Sequence, residues 1–294
     1  MANRRALVKR RKAVTNTRKI TRTMQLIATA RFQAAMSRAT ASQPYSAKLA
    51  EMIRDLSAVA EETQHPLMQT RDDVDRAALV VLTSNRGLCG SYNANVLRAA
   101  MAHIKAEDRS TETHMVGRKG ESFFRFQELA MAQVTRDIDD KPRFDQVQPI
   151  ADALMERFRQ GEIASAHIAY TRFYTPGKQK AEIMQLLPLV EKAEPVEGDA
   201  SEGAKSGYRA EYEFIPSPEE LLDQLLPASV RMRLFQCFND AAVSEQIARM
   251  VAMKAATEAA GDMIKNLTRE YNRARQTHIT MELLDIVGGA NALA

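Results

Sequence analysis

The apolar positions in the last quarter of the chain recur every three or four residues. Val243, Ile247, Met250, Met253, Thr257, Ala260, Ile264, Leu267, Tyr271, Ala274, His278 and Met281 follow one another at those spacings. This is the seam of a coiled-coil helix, with one three–three step at Met253 that should locally overwind it. Between residues 228 and 287 there is no proline and only one glycine, Gly261. Ser217-Pro218-Glu219-Glu220 supplies a start: a capping hydroxyl, a proline in the first turn and a glutamate able to close a capping box. Pro227 is expected to bend or restart the helix, and Gly288-Gly289 to stop it. Sixty residues at about 1.5 Å each make a rod of roughly 90 Å. A rod with one narrow stripe of small residues needs a partner helix.

The other end of the chain supplies it. Leu7, Val14, Thr17, Ile20 or Thr21, Met24, Ile27 or Ala28, and Ala35 form a second helical stripe. The pattern resumes at Leu49, Ile53, Leu56 and Ala60, after a kink expected at Pro44, and ends before His65-Pro66. Between the rods the period changes. Strands are predicted over 77–83, 113–116, 132–135, 164–174 and 182–187, with helices near 93–105, 121–128 and 144–160. Thr175-Pro176-Gly177-Lys178 should turn the last two strands into a hairpin. Strand–helix alternation predicts a mostly parallel sheet with one antiparallel strand at its end. Residues 191–213 hold seven acids and three glycines and read as a mobile loop. The fold class is therefore α+β or α/β. A long antiparallel coiled coil of the N- and C-terminal helices (1–62 and 217–290) flanks a small central α/β domain (75–190), with a loop and linker over 191–216.

Composition narrows the function classes. Met is plentiful at 15, Trp is absent, and aromatic residues make up 6% of the chain, which suits long helices. No run of about 18 apolar residues occurs, so no membrane-spanning helix is expected, and no apolar signal segment lies near Met1. Cys89 and Cys237 read as two free thiols. The five histidines have no ligand spacing, so no metal site is expected. Net charge is only +4, yet the first forty residues carry eleven Lys or Arg and no acid. A phosphate-binding arm, a transit peptide, and a basic helix running through an acidic protein sleeve would each look like this. The helical stripe favours the last.

Candidate chemistry is thin. Gly87-Leu88-Cys89-Gly90 follows a strand, but no phosphate-loop lysine pattern and no G-x-G-x-x-G occurs. A tight turn into a helix is the better reading. Cys89 at a helix N-terminus has no neighbouring base to make it a nucleophile. Glu282 and Asp285 share a helix face, as solvated or interface acids commonly do. No catalytic residue, cofactor or metal is assigned.

Four blocks carry a family likeness. Thr17-Arg18-Lys19-Ile20-Thr21-Arg22-Thr23-Met24 resembles the N-terminal helix of the γ subunit of F-type ATP synthases. Ser84 to Asn93, Ser244 to Thr257 and Asn272 to Ala290 resemble that family's first turn, its most recognisable segment and its C-terminal signature. Departures are mild: Asp285 stands where Glu is usual, and Arg31-Phe32 where a Lys-Leu or Lys-Met pair is usual. The cysteine-bearing insertion of chloroplast γ subunits is not found. The resemblance begins within the first twenty residues, so a bacterial chain without a transit peptide is expected.

The resemblance implies a non-catalytic central-stalk rotor, with the coiled coil inside a hexamer of α and β subunits. The lower part would sit on the ε subunit and the ring of c subunits, peripheral to the cytoplasmic face of the bacterial membrane. It implies β-subunit contacts at Met24, Arg275, Gln276, Thr280 and Glu282, and an ε and c-ring foot at Tyr212 and Phe214. No nucleic acid is implied. A basic coiled-coil nucleic-acid-binding protein is the alternative, since it explains the basic arm but not the C-terminal blocks.

Overall fold

The computed structural model describes residues 4–59, 65–189 and 218–293. Its elements run α1 (Arg4–Val59), β1 (Arg76–Leu82), α2 (Tyr92–Ala106), β2 (Ser110–Val116), α3 (Arg118–Phe126) and β3 (Gln133–Thr135). There follow α4 (Phe144–Arg159), β4 (Ser165–Thr175), β5 (Lys178–Leu187) and α5 (Pro218–Leu293). The predicted element types are all present. They form two compact units: a helical unit of Met1–Gln33, Leu88–Gly90 and Gln246–Ala294, and a sheet unit of Ala34–Gly87 and Ser91–Glu245. The loop read over 191–213, the cap at Ser217, and Tyr212 and Phe214 lie outside the described residues.

In the sheet unit five strands are ordered β3-β2-β1-β4-β5. β1 pairs in parallel with β2 and β4, and β3 with β2; β5 closes the sheet antiparallel to β4, with Thr175 opposite Lys178 at the hairpin. Residues 77–82 of β1 are all buried, because a central parallel strand is covered on both faces. On one face Leu79, Val81 and Met115 pack with Val96, Leu97 and Ala100 of α2 and Phe124 of α3. On the other, Val80, Ala166 and Ile168 pack with Leu154 and Phe158 of α4 and Leu226, Val230 and Leu234 of α5.

The helical unit is built on the predicted seam. Ile247, Met253, Ala260 and Leu267 of α5 are buried, as are Leu7 and Ala28 of α1. Arg11 lies over the Tyr271 ring, 5.4 Å from its centroid, Arg18 is beside Gly261, and the Thr21 and Thr257 hydroxyls hydrogen-bond at 2.8 Å. Partners that fall on one side as they rise on the other make the pair antiparallel. Where the sequence left two choices, Thr21 and Ala28 face the seam, while Ile20 and Ile27 are exposed.

Helix continues on both sides of Pro44 in α1 and of Pro227 in α5: a proline removes one backbone bond, and the turns on either side hold the helix. Two expectations need correction. Gly288-Gly289 does not end α5, which continues to Leu293. A glycine stop works through a left-handed φ, and neither glycine adopts one. The seam stops short as well: His278 and Met281 are exposed. The described part of α1 begins at Arg4, seven residues before Arg11, which lies over Tyr271. In antiparallel register it ends about level with His278 and leaves Met281 without a described partner.

One half-buried carboxyl in the sheet unit sits among Gln236, Arg172 and Glu182. Burial pushes Asp240 of α5 up to about 7, against the opposing effect of its hydrogen bond from the Gln236 amide at 3.0 Å. Burial also pushes His114 and His167 down to about 4. A carboxyl with a raised native pKa binds its proton more tightly folded than unfolded, so its contribution falls as pH rises from about 4 to about 7. The histidines act oppositely: the unfolded chain protonates them first, and stability falls as pH drops from about 6.5 to about 4. Asp240→Asn is therefore expected to gain about 2–4 kcal/mol over the parent at pH 8 and nothing at pH 4. Urea midpoints at the two pH values check this, and an equal difference at both would refute it.

Candidate partner interface

Past the end of α1, α5 continues without a companion in the described chain. Every residue from Arg275 to Asn291 is exposed. Ile279, Met281, Leu283, Leu284, Ile286 and Val287 are among them, Ile286 at 68%. Large apolar patches of this kind on a soluble chain mark contact surfaces. A lone helix that is apolar on several sides is one that other protein surfaces enclose.

The polar residues expected here share that exposure and divide between two faces. Successive helix positions turn by about 100°, so Arg275 and Glu282, seven apart, point nearly the same way. Gln276 and Thr280 share a second direction. The Thr280 hydroxyl donates to the Gln276 carbonyl at 3.0 Å. Glu282 Oε1 lies 3.1 Å from His278 Nδ1 rather than on Arg275. No hydrogen bond or ion pair joins the four residues into one cluster, so any common function must come from a partner that touches both faces. Met24 is half-buried on α1, on the stripe that carries Thr21 and Ala28.

Two features escaped the sequence reading. Ile20 and Ile27 form an exposed apolar strip on α1, hidden in the sequence because each neighbours a smaller residue, Thr21 or Ala28, that also fits the seam. The second is electrostatic. The helical unit holds 16 Lys or Arg against 5 Asp or Glu, a net +11, while the sheet unit holds the remaining 25 against 32, a net −7.

The motif turn after β1 serves packing. The Ser84 amide donates to Asn93 Oδ1 at 2.9 Å, the Arg118 amide donates to Asn85 Oδ1 at 3.1 Å, and Asn85 Nδ2 reaches the Ile138 carbonyl at 3.0 Å. Gly90, at φ 58°, backs onto α5: an added Cβ would lie 3.7 Å from the Ala252 methyl. Cys89 is buried, and neither cysteine forms a disulfide. The nearby exit of β2 is tighter still. Gly117, at φ 97°, stands where a Cβ would come within 2.1 Å of the Thr83 carbonyl oxygen, so no other residue fits.

The sequence profile of the ATP synthase family matches residues 3–293. A protein named ATP synthase gamma chain from Rhodopirellula baltica is 45% identical over 296 residues, covering 100% of this chain and 99% of the relative. The chain belongs to the ATP synthase gamma chain family. Solved structures agree in fold. A chain of the Euglena gracilis mitochondrial ATP synthase (OSCP/F1/c-ring, rotational state 3) superposes with a TM-score of 0.67 at 19% identity, covering 99% of this chain and 94% of that one. A chain of the Tetrahymena thermophila mitochondrial ATP synthase central stalk and c-ring gives 0.58 at 19% identity, covering 81% and 99%. Membership makes the chain an ATP synthase subunit with the central-stalk rotor role that the resemblance implied. Among the described residues no helix is long and apolar enough to cross a membrane.

Because every residue from Arg275 to Asn291 is exposed, Leu284→Glu with Ile286→Glu should leave the thermal unfolding of the isolated chain nearly unchanged, within about 0.5 kcal/mol. The same pair should prevent or weaken assembly with the other subunits. A large loss of Tm in the isolated chain would show that this segment packs on its own protein.

Proposed function

We propose that this chain is the non-catalytic shaft that carries rotation from the membrane c-ring to the catalytic β subunits for ATP synthesis. Its partners are the α and β subunits of the head, the ε subunit and the c-ring. It works at the cytoplasmic face of a bacterial membrane, attached through the complex. The observation that carries the reading is the bare segment from Arg275 to Asn291, apolar and exposed at the end of a strongly basic two-helix unit. Such an element is stable in water only when other protein surrounds it, and a +11 unit favours a sleeve with acidic loops.

The mechanism follows from shape. One asymmetric shaft cannot present the same face to three identical catalytic subunits, so each subunit meets different contacts and holds nucleotide with a different affinity. Turning the shaft permutes those states, and the coupling is the difference in contact free energy between them. Torque needs stiffness, and the antiparallel seam with its threonine pair supplies it. The two apolar strips, at residues 20–27 and 279–287, have no symmetry relation and give the shaft distinct sides.

Within this role Arg275, Gln276, Thr280 and Glu282, with Met24 on α1, meet β-subunit loops. Arg275 offers a rigid fork of donors for a carboxylate, and Gln276 both a donor and an acceptor. Enclosed in the head, an arginine–carboxylate contact costs a few kcal/mol to truncate, because the partner's charge is left unpaired. Arg275→Leu with Gln276→Leu is expected to lower rotary ATP turnover of the assembled complex by about tenfold or more, for about 1.4 kcal/mol or more on the barrier. The variant should still fold and incorporate; full turnover would show that these side chains are only surface.

Tyr212 and Phe214 form part of the foot on ε and the c-ring. Replacing both with Ser is expected to weaken ε and the membrane sector while the α and β subunits remain bound. Unchanged ε affinity in a pull-down titration would remove them from that interface.

A further inference from the structure

The sheet unit holds a charged surface that the shaft mechanism does not use. β2 and β3 end side by side, where the Gly117 amide donates to the Thr135 carbonyl at 3.0 Å. From these ends the chain runs into α3 on one side and into Arg136 on the other. Three arginines, Arg118, Arg125 and Arg136, thereby gather around Glu121. The Glu121 side chain is only 9% exposed. Its Oε1 accepts Arg125 Nη2 at 2.6 Å and Arg136 Nη2 at 2.7 Å, and its Oε2 accepts Arg136 Nε at 2.8 Å.

This arrangement fixes the guanidiniums without consuming them. Each carries five N–H donors; Glu121 takes two from Arg136 and one from Arg125, and both arginines stay largely in solvent. The hydrogen bonds from Arg136 lead in holding the Glu121 carboxyl below its ordinary range, so it remains an anchor at any physiological pH. Three cations against one carboxylate line a cleft of about 520 Å³. Asp137 flanks Arg136, and the rim stays positive. A net positive cleft on a unit of net charge −7 runs against its background. Beside it stands Phe126, 81% exposed, with no packing of its own to explain it.

We propose that this α3 face docks a carboxylate-rich segment of another protein subunit, which sets acidic side chains on Arg118, Arg125 and Arg136 and an apolar one on Phe126. Charge complementarity selects the acidic partner, and preorganisation by Glu121 removes part of the ordering cost of binding. An aromatic ring beside an arginine cluster is the composition of an interface hot spot. A phosphate or a lipid headgroup would use the arginines and leave Phe126 without a purpose. The inference rests on the stalk reading only in that such a partner is met in the assembled synthase.

The test uses the full chain and a fluorescein-labelled heptapeptide of six acidic residues around one phenylalanine. Anisotropy should show saturable binding that Arg118→Gln/Arg125→Gln/Phe126→Ser weakens by at least about tenfold, whereas Arg5→Gln/Lys9→Gln/Lys12→Gln on α1 leaves it within about twofold. Neither set removes Arg136, so Glu121 keeps its bidentate partner, and circular dichroism confirms that both variants are folded. Binding indifferent to the α3 changes would overturn the proposal, as would tighter binding of inorganic phosphate or anionic vesicles than of the peptide at the same site. In the purified synthase, a benzophenone side chain at position 126 should then cross-link to a segment with more acids than bases. A complex that turns over normally yet yields a lipid adduct or no adduct there would sink this surface and leave the stalk reading intact.

Discussion

Close approach of two helices through small seam residues is the constraint on which the helical unit depends. Ala28 of α1 and Ala260 of α5 are buried there, and Gly261 gives room to Arg18. Small side chains let backbones come near but bury little apolar area, so the seam needs something besides burial to fix its register. The Thr21–Thr257 hydrogen bond at 2.8 Å supplies it. A one-turn slip would break that contact. Each hydroxyl keeps a carbonyl of its own helix within reach, Arg18 for Thr21 at 3.1 Å and Met253 for Thr257 at 2.7 Å, so the loss is that of one hydrogen bond, about 0.5–1.5 kcal/mol. The Arg11–Tyr271 stacking adds a second fixed point. Register in turn decides where α1 runs out, and so where α5 is left bare.

The same economy shapes the turn after β1. In an open parallel sheet, the loops at the carboxyl ends of the strands are where ligands usually bind. Here that loop is spent on structure. Asn85 and Asn93 satisfy backbone groups around it, and Gly90 presents bare backbone to Ala248 and Ala252 of α5. An added Cβ at Gly90 would sit in ordinary contact with the helix, and what favours glycine there is the φ of 58°. The sequence signature of this loop is thus a packing signature, which is why it resembles a phosphate loop in composition without its lysine.

Much of this was legible beforehand because it rests on period and punctuation. Strand–helix alternation gave the sheet and its antiparallel edge, since β1 is an apolar run of strand length and β4 a long alternating strand turned by Pro176-Gly177 into β5. Three-and-four spacing gave both rods. What failed was local stop chemistry. Gly288-Gly289 is a breaker in isolation, but a glycine costs only about 1 kcal/mol within a helix, and the flanking turns outweigh that. The end of the seam was also illegible, because His278 and Met281 keep the period at and beyond the described start of α1. Period records which side a residue faces, not whether anything stands opposite. The β-contact residues could be named only through family resemblance, as nothing in Arg275 or Gln276 differs from an ordinary solvated pair. The Glu121 cluster was invisible because Arg136 joins it from a different strand end.

Charge separation ties these features to assembly. A +11 helical unit and a −7 sheet unit belong to one chain, so its overall charge of +4 conceals a strong polarity. Long-range attraction acts before any contact forms and falls off over about 8 Å at physiological salt; it can orient a partner but cannot hold it. Holding falls to short-range terms, and the helical unit keeps those exposed: Ile20 and Ile27 on α1, Leu283 to Val287 on α5. Left in water, such surfaces find each other and aggregate. Like charge on every copy of the helical unit opposes that encounter, while an acidic sleeve is drawn in. The basic arm therefore does two things at once: it keeps bare shafts apart and favours the enclosure that their apolar strips require.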